Sequence, residues 1–235
     1  MLDLFETSNV KLKFHTLSSG YCKQFEKFIR SDGKWKFIKI PALCFYLEHP
    51  LYGSILFDTG YSKHFFKATR KFPYRFYRYA TPVSVSEEES IVSELKRINV
   101  DVSQIDYIVL SHFHADHIGA VKLFPNAQFI YLPSAYEELQ KLNKIKQTKV
   151  GFVPDLLPED FLERSIQLNE RQTVSLPETF PFPRGIDVFA DGSIMAVDLP
   201  GHAVGQIGII FQTKDRIKFL CADAVWESIQ YKKQI

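Results

Sequence analysis

Residues 112–117 read His-Phe-His-Ala-Asp-His, so four side chains able to ligate a metal fall within six positions. Imidazole and carboxylate together are donors that suit zinc and related borderline metals. The cluster follows directly on Ile105-Asp106-Tyr107-Ile108-Val109-Leu110, whose apolar end reads as a buried strand. Side chains alternate along extended backbone, which puts His112 and His114 on one side. Asp116 and His117 come after the chain has turned and can serve a second centre beside the first. Further on, Pro200-Gly201-His202 follows an expected hairpin, and Asp223 closes the apolar run Ile217 to Ala222. A third imidazole for the first metal, and a carboxylate able to bridge two, are what a binuclear hydrolytic centre needs.

An earlier apolar run ends in Phe57-Asp58-Thr59-Gly60. With that motif first, then His112 to His117, Gly201-His202 and Asp223, the chain from about Ile40 onward resembles the metallo-β-lactamase superfamily. The resemblance implies an α/β fold, a metallo-β-lactamase-like αβ/βα sandwich. It implies that His112, His114 and His202 hold a first metal, Asp116 and His117 a second, and that Asp223 bridges them. Asp116 and Asp223 are then the catalytic carboxylates, while Asp58 supports the ligand loop without touching metal. Two divalent ions are expected, zinc favoured over iron, manganese or cobalt. A hydroxide held between them is formed near neutral pH and attacks an ester, lactone, amide or phosphodiester.

Within that superfamily, Ile40 to Glu48, Gly53 to Gly60 and Ser111 to Ala120 look like the N-acyl-homoserine lactonase branch. That branch implies a lactone substrate and a pocket for an acyl chain. Two departures stand out. Trp226 lies three residues past Asp223, where the lactonases carry a Tyr, and an indole donates one hydrogen bond without a phenol's acidity. No histidine follows His202, although the family places a last ligand of the second metal well beyond the bridging Asp. Residues 1–235 are therefore expected to be a single domain truncated before its closing strand and helix. A phosphodiesterase or RNA-processing nuclease of the same superfamily, or a non-catalytic metal-binding domain, is the alternative.

The secondary structure carrying these residues is read from pattern. Lys11 to His15 opens as a short strand; Ile40 to Leu47 and Ser54 to Phe57 form a hairpin pair. Ser86 and Glu89 predict a capping box opening a helix through Ile91, Leu95 and Ile98. Ala127 to Leu132 reads as a strand and Ser134 to Leu142 as a helix. Asp191-Gly192 marks one hairpin, and Ile207 to Phe211 with Ile217 to Cys221 a second. The stretch from Lys67 to Tyr79 interleaves Lys67, Arg70, Lys71, Arg75 and Arg78 with Phe72, Tyr74, Phe76, Tyr77 and Tyr79. It reads as a flap roofing an apolar pocket, with binding of single-stranded nucleic acid or an anionic membrane as the competing reading. Residues 144–185 carry five prolines and read as an inserted lid or binding loop.

Composition narrows the class. Hydrophobic residues make up 46 % and charged residues 24 %, as in ordinary globular proteins. The net charge of +2 gives no independent case for a nucleic-acid partner. Met1 to Glu6 carries acids and no signal-like apolar run, and no stretch approaches a membrane span. Cys22, Cys44 and Cys221, an odd count without metal spacing, read as free thiols of a cytoplasmic protein. The expected partner is a small-molecule substrate; oligomeric state is left open. His15, His49 and His64 are expected to be structural.

Overall fold

A computed structural model describes residues 10–169 and 172–225. Trp226 and the acidic Met1 to Glu6 stretch lie outside them. The strands are β1 (Lys13–Phe25), β2 (Phe37–His49), β3 (Gly53–Phe57), β4 (Val83–Ser84), β5 (Tyr107–Val109) and β6 (Gln128–Tyr131), then β7 (Ser165–Gln167), β8 (Thr173–Ser175), β9 (Arg184–Asp187), β10 (Ile194–Asp198), β11 (Ile207–Gln212) and β12 (Ile217–Leu220). The helices are α1 (Glu26–Ile29), α2 (Lys63–Ala68), α3 (Arg75–Ala80), α4 (Ile91–Arg97), α5 (Ala115–Ile118), α6 (Pro133–Gln140) and α7 (Lys144–Lys149). A seven-stranded sheet runs β4-β1-β2-β3-β5-β6-β7, and a five-stranded sheet runs β12-β11-β10-β9-β8. The first is antiparallel from β4 to β3 and parallel from β3 to β7. The second is antiparallel throughout.

Period-two alternation explains why the sheets stack. Leu47, Ile55, Phe57, Val109 and Ile130 leave one face of the larger sheet and meet Ile194, Ala196, Ile207, Ile209 and Phe211 from the smaller. Their alternating neighbours Tyr46, Leu56, Ile108, Phe129 and Tyr131 pack on the opposite face with Phe65, Ile91, Leu95, Ile118 and Ala135. Helices thus cover the outer face of the larger sheet. On the outer face of the smaller, Met195, Val197 and Ile210 pack with Leu176, Leu199, Phe180 and Phe182. The result is the α/β sandwich that the sequence predicts, with a mixed larger sheet and an antiparallel smaller one.

Several boundaries differ. β1 is much longer than Lys11 to His15, because its register with β2 survives an irregularity between Ser18 and Tyr21. Ser86 does accept the Glu89 amide at 3.2 Å, but the helix starts at Ile91 under a different cap, Ser90, which accepts from Ser93. Residues 144–185 are not mainly a lid: β7 extends the larger sheet beside β6, and β8 edges the smaller beside β9. The 67–79 stretch is structured, with Tyr74 buried and donating to Gln147 at 2.7 Å.

Candidate metal centre

The centre forms where the two sheets meet. β5 lies between β3 and β6, so its end is held on both sides, and the carbonyl of Ser111 just beyond it accepts from the Ile207 amide of β11 at 2.9 Å. The histidine cluster therefore starts at a junction tied to both sheets. α5 then turns the chain, with Ala115, His117 and Ile118 buried.

Asp58 organises the histidine loop. It sits at φ 60°, a conformation uncommon outside glycine, and is 2 % exposed. Its Oδ1 accepts the Ser111 amide at 2.8 Å, and its Oδ2 accepts the Ser111 hydroxyl at 2.7 Å. The same Oδ2 lies 2.7 Å from His117 Nδ1. An imidazole that donates through Nδ1 presents Nε2 as its other donor atom, so Asp58 fixes both the tautomer and the direction of His117. Thr59 adds two bonds to the His117 carbonyl, from its amide at 3.0 Å and its hydroxyl at 2.8 Å. Gly60 comes next at φ +71°, where a Cβ would stand 2.5 Å from that of Ser19. The motif beginning at Asp58 is thus a hydrogen-bonded brace for the histidine loop, the position in which the resemblance puts it. Ser111, which joins Asp58 to His112 Nδ1 at 3.0 Å, is part of that brace and was not singled out by its residue type.

Four imidazoles converge. Ring centroids of His114, His117 and His202 lie 4.4, 3.9 and 5.1 Å from that of His112. Potential ligand atoms of His112, His114 and His202 fall within 4.8 Å of one another, and so do those of His112, His117 and Asp223. His202 arrives on the loop between β10 and β11, and Asp223 on a short turn after β12. Asp223 stands between the two groups, its Oδ1 3.3 Å from His117 Nε2 and its Oδ2 3.3 Å from His202 Nε2. Asp116 Oδ2 lies 3.5 Å from His117 Nε2, at the edge of the second group. A glycine is needed at 151, where φ is +74° and a Cβ would come within 3.1 Å of the His114 ring. All six sequence-predicted residues therefore meet at one place. His15, His49 and His64 do not join them; His49 instead accepts the Leu51 and Tyr52 amides of the β2–β3 turn.

The electrostatics fit a cation. His112 Nε2 is fully buried without a hydrogen-bond partner, an arrangement that costs free energy unless something accepts its lone pair. Burial holds the His112 imidazole well below its ordinary pKa and lowers His114 to about 3, so both stay in the neutral, ligating form. Burial also raises Asp116, to about 6. Burial opposes charge on His117 too, yet Asp58, Asp116 and Asp223 raise it well above the ordinary range. Burial disfavours the Asp223 anion as well, but the surrounding histidines win and lower it to about 2. Neutral His112, His114 and His202, the ionised Asp223 and the unpartnered His112 Nε2 are donors that suit a divalent metal, and the carboxylates that draw a proton to His117 would face a cation there instead.

Two cavities flank the cluster and share Tyr77, His114 and His202. The larger, about 860 Å³, is lined by Phe113, Leu139, Leu142 and Val150 with Glu138 and Lys149. The smaller, about 360 Å³, runs past Asp116, His117 and Asp223 to Cys22, Gln24, Ile40 and Thr81. Of the aromatic residues expected to roof a pocket, only Tyr77 does so; Phe72, Phe76 and Tyr79 are exposed. From the expected lid, Lys149, Val150 and Gly151 line the larger cavity. Burial, with Asp116 adding to it, raises the Tyr77 phenol well above its usual pKa, which keeps it a neutral donor.

Residues 40–232 match the sequence profile of the metallo-beta-lactamase superfamily. The N-acyl homoserine lactonase AttM of Azorhizobium caulinodans is 25 % identical over 231 residues, covering 95 % of this chain and 80 % of the relative. A solved N-acyl homoserine lactone hydrolase, with N-hexanoyl-L-homoserine bound at its catalytic metal centre, superposes with a TM-score of 0.68. It is 22 % identical, and the match covers 96 % of this chain and 80 % of that one. AidC, a dizinc quorum-quenching lactonase solved with a product, matches at TM-score 0.55 and 16 % identity, over 88 % of this chain and 70 % of its own. The two structural matches concern the fold.

Proposed function

Because the chain belongs to the metallo-beta-lactamase superfamily, we propose that it is a dinuclear metal hydrolase that opens the ring of an N-acyl homoserine lactone. His112, His114 and His202 would hold one divalent ion, Asp116 and His117 the other, with Asp223 between them; zinc is favoured by the mixed imidazole and carboxylate donors. The observation that carries this reading is the placement of Asp223, one oxygen toward each histidine group. The names of the relatives support the lactone, since AttM is a lactonase and AidC a dizinc one. Bound there, the metals would supply Lewis acidity, making water nucleophilic near neutral pH and polarising the lactone carbonyl.

This chain's own residues do the rest. Asp58 and Ser111 keep His112 and His117 aimed inward, and the Tyr77 hydroxyl can donate to a substrate oxygen. In the reaction, water adds to the carbonyl carbon, the bond from that carbon to the ring oxygen breaks, and the ring oxygen takes a proton. The product is an open hydroxy acid that releases one proton at neutral pH. Asp116, 3.5 Å from His117 Nε2, would take the proton lost by the attacking water and pass it to the departing oxygen. The apolar wall of the larger cavity suits an acyl chain, each added methylene contributing about 0.8 kcal/mol while it is buried. Residues 1–235 would act as one domain, since both sheets share a core. Buried free thiols at Cys22 and Cys44 support a cytoplasmic location, and no described helix is long and apolar enough to cross a membrane.

The test is acid release from homoserine lactones of increasing acyl length, beside a phosphodiester, at fixed metal loading. Lactone turnover whose efficiency climbs over a few carbons and then levels is expected. Cleavage of the phosphodiester in preference to every lactone would reject the proposal.

A further inference from the structure

The smaller cavity leads from the metal cluster to Gln24 and Ile40, and the chain beyond them carries a feature that hydrolysis does not use. Phe25 and Phe37, paired in register at the end of β1 and the start of β2, stack at 4.1 Å. Trp35 and Phe28 meet Phe25 edge-on at 5.7 and 5.9 Å, and each other at 5.6 Å. Three of these four rings are turned outward: Trp35 is 70 % exposed, Phe28 65 % and Phe37 60 %. Clustered aromatic surface of this kind marks an interaction site on a soluble fold.

The charge around it is one-sided. Lys23, Lys27, Arg30, Lys34, Lys36 and Lys39 surround two acids, Glu26 and Asp32, which Arg30 already meets at 2.9 and 3.0 Å. The second basic and aromatic stretch adjoins it. Gln24 donates to Thr81 Oγ1 at 3.0 Å and to the Ala80 carbonyl at 3.4 Å, which fastens the end of α3 beside the hairpin. Residues 67–79 hold five basic side chains and no acid, and Phe76 and Tyr79 are exposed.

We propose that this rim, the 25–37 hairpin end with the neighbouring 67–79 stretch, docks on the surface of an anionic lipid bilayer. Aromatic rings settle at the boundary between headgroups and acyl chains, and lysines and arginines beside them are drawn to anionic headgroups. Two other occupants fit less well. Single-stranded nucleic acid stacks successive bases on separate ring faces along a strand, whereas these four rings pack on one another in a single cluster, with Phe25 and Phe37 each covering one face of the other. A second copy would bring two basic rims together. Docking there would turn the Gln24 end of the cavity toward the lipid, where acyl-bearing molecules concentrate.

The metal-loaded protein is sedimented with vesicles of phosphatidylcholine alone, or of phosphatidylcholine mixed with phosphatidylglycerol. Binding is expected only to the second, weakening as salt is raised. Trp35 emission should move to shorter wavelength on binding, and the move should vanish in Trp35→Phe. Phe28→Ser with Trp35→Ser should bind at least about tenfold more weakly, since it removes two of the rings that enter the interface. The same variant should keep its thermal midpoint and its turnover of a short-chain lactone in free solution. Failure of the unaltered protein to sediment with anionic vesicles would overturn the proposal. So would undiminished binding by the double variant, tighter binding to an oligonucleotide, or a dimer that forms through these residues and leaves vesicles unbound.

Discussion

The two sheets contribute to the centre in different ways. The larger one delivers His112, His114, Asp116 and His117 from a single short segment, and Asp58, Ser111 and Thr59 brace it with hydrogen bonds of 2.7 to 3.0 Å. His112 and His117 are buried there, while His114 and Asp116 are partly open. The smaller sheet delivers His202 and Asp223 from separate connections, with side chains 22 % and 20 % exposed, and the two meet each other at 3.3 Å. One half is held by a hydrogen-bonded brace; the other meets it from separate turns, His202 Nε2 lying 3.0 Å from His114 Nδ1. Preorganised ligands with anchored neighbours give affinity and direction, and the less constrained side leaves room for substrate.

The largest expected effect comes from His112→Ala. It removes a buried nitrogen of the proposed first centre, so its loss should lower metal content there and cut turnover more than about a hundredfold, beyond what removing an outer neighbour does. Elemental analysis beside initial rates decides it, and near-normal metal content in the variant would break the picture of a buried ligand held by the brace. Asp58→Asn comes next. It leaves every proposed ligand in place but weakens the acceptor of His117, and should cost about 10- to 100-fold in metal affinity or turnover. A change below about twofold would mean that the braced half is no more ordered than the open one. Tyr77→Phe removes one hydroxyl from the wall both cavities share. A fall of about fivefold in catalytic efficiency, from losing roughly 1 kcal/mol of hydrogen bonding to substrate, is expected, together with a lower thermal midpoint because the buried Tyr61 hydroxyl loses its Tyr77 partner. Pro200→Ala, on the exposed turn before His202, should be smallest, within about 0.5 kcal/mol in stability.

The same contrast explains how much of the centre is legible in the chain alone. The braced half is legible because its candidate ligands crowd six positions after an apolar strand, a local pattern that needs no knowledge of packing. His202 and Asp223 are legible through their order behind that cluster. Ser111 is not, since a serine acquires its role only when β3 and β5 pair and set Asp58 beside it. Tyr77 stands among five aromatic residues, yet only its packing against the core separates it from exposed Phe72, Phe76 and Tyr79. Residues 144–185 look like a lid because prolines mask short strands whose partners, β6 and β9, are set by long-range pairing. The helix at 91 is expected too early because a local bond between Ser86 and Glu89 imitates a cap, whereas the first buried position on that helix is Ile91.

The most direct test counts metal against chemistry. Protein purified without chelator is assayed for transition metals and for acid release from N-hexanoyl homoserine lactone, then stripped and reloaded stepwise with zinc, iron, manganese or cobalt. Two divalent ions per chain at full activity, loss of turnover on stripping and recovery as the sites refill are the predicted result. Turnover that survives complete stripping, or a refilled protein that opens no lactone, would contradict it.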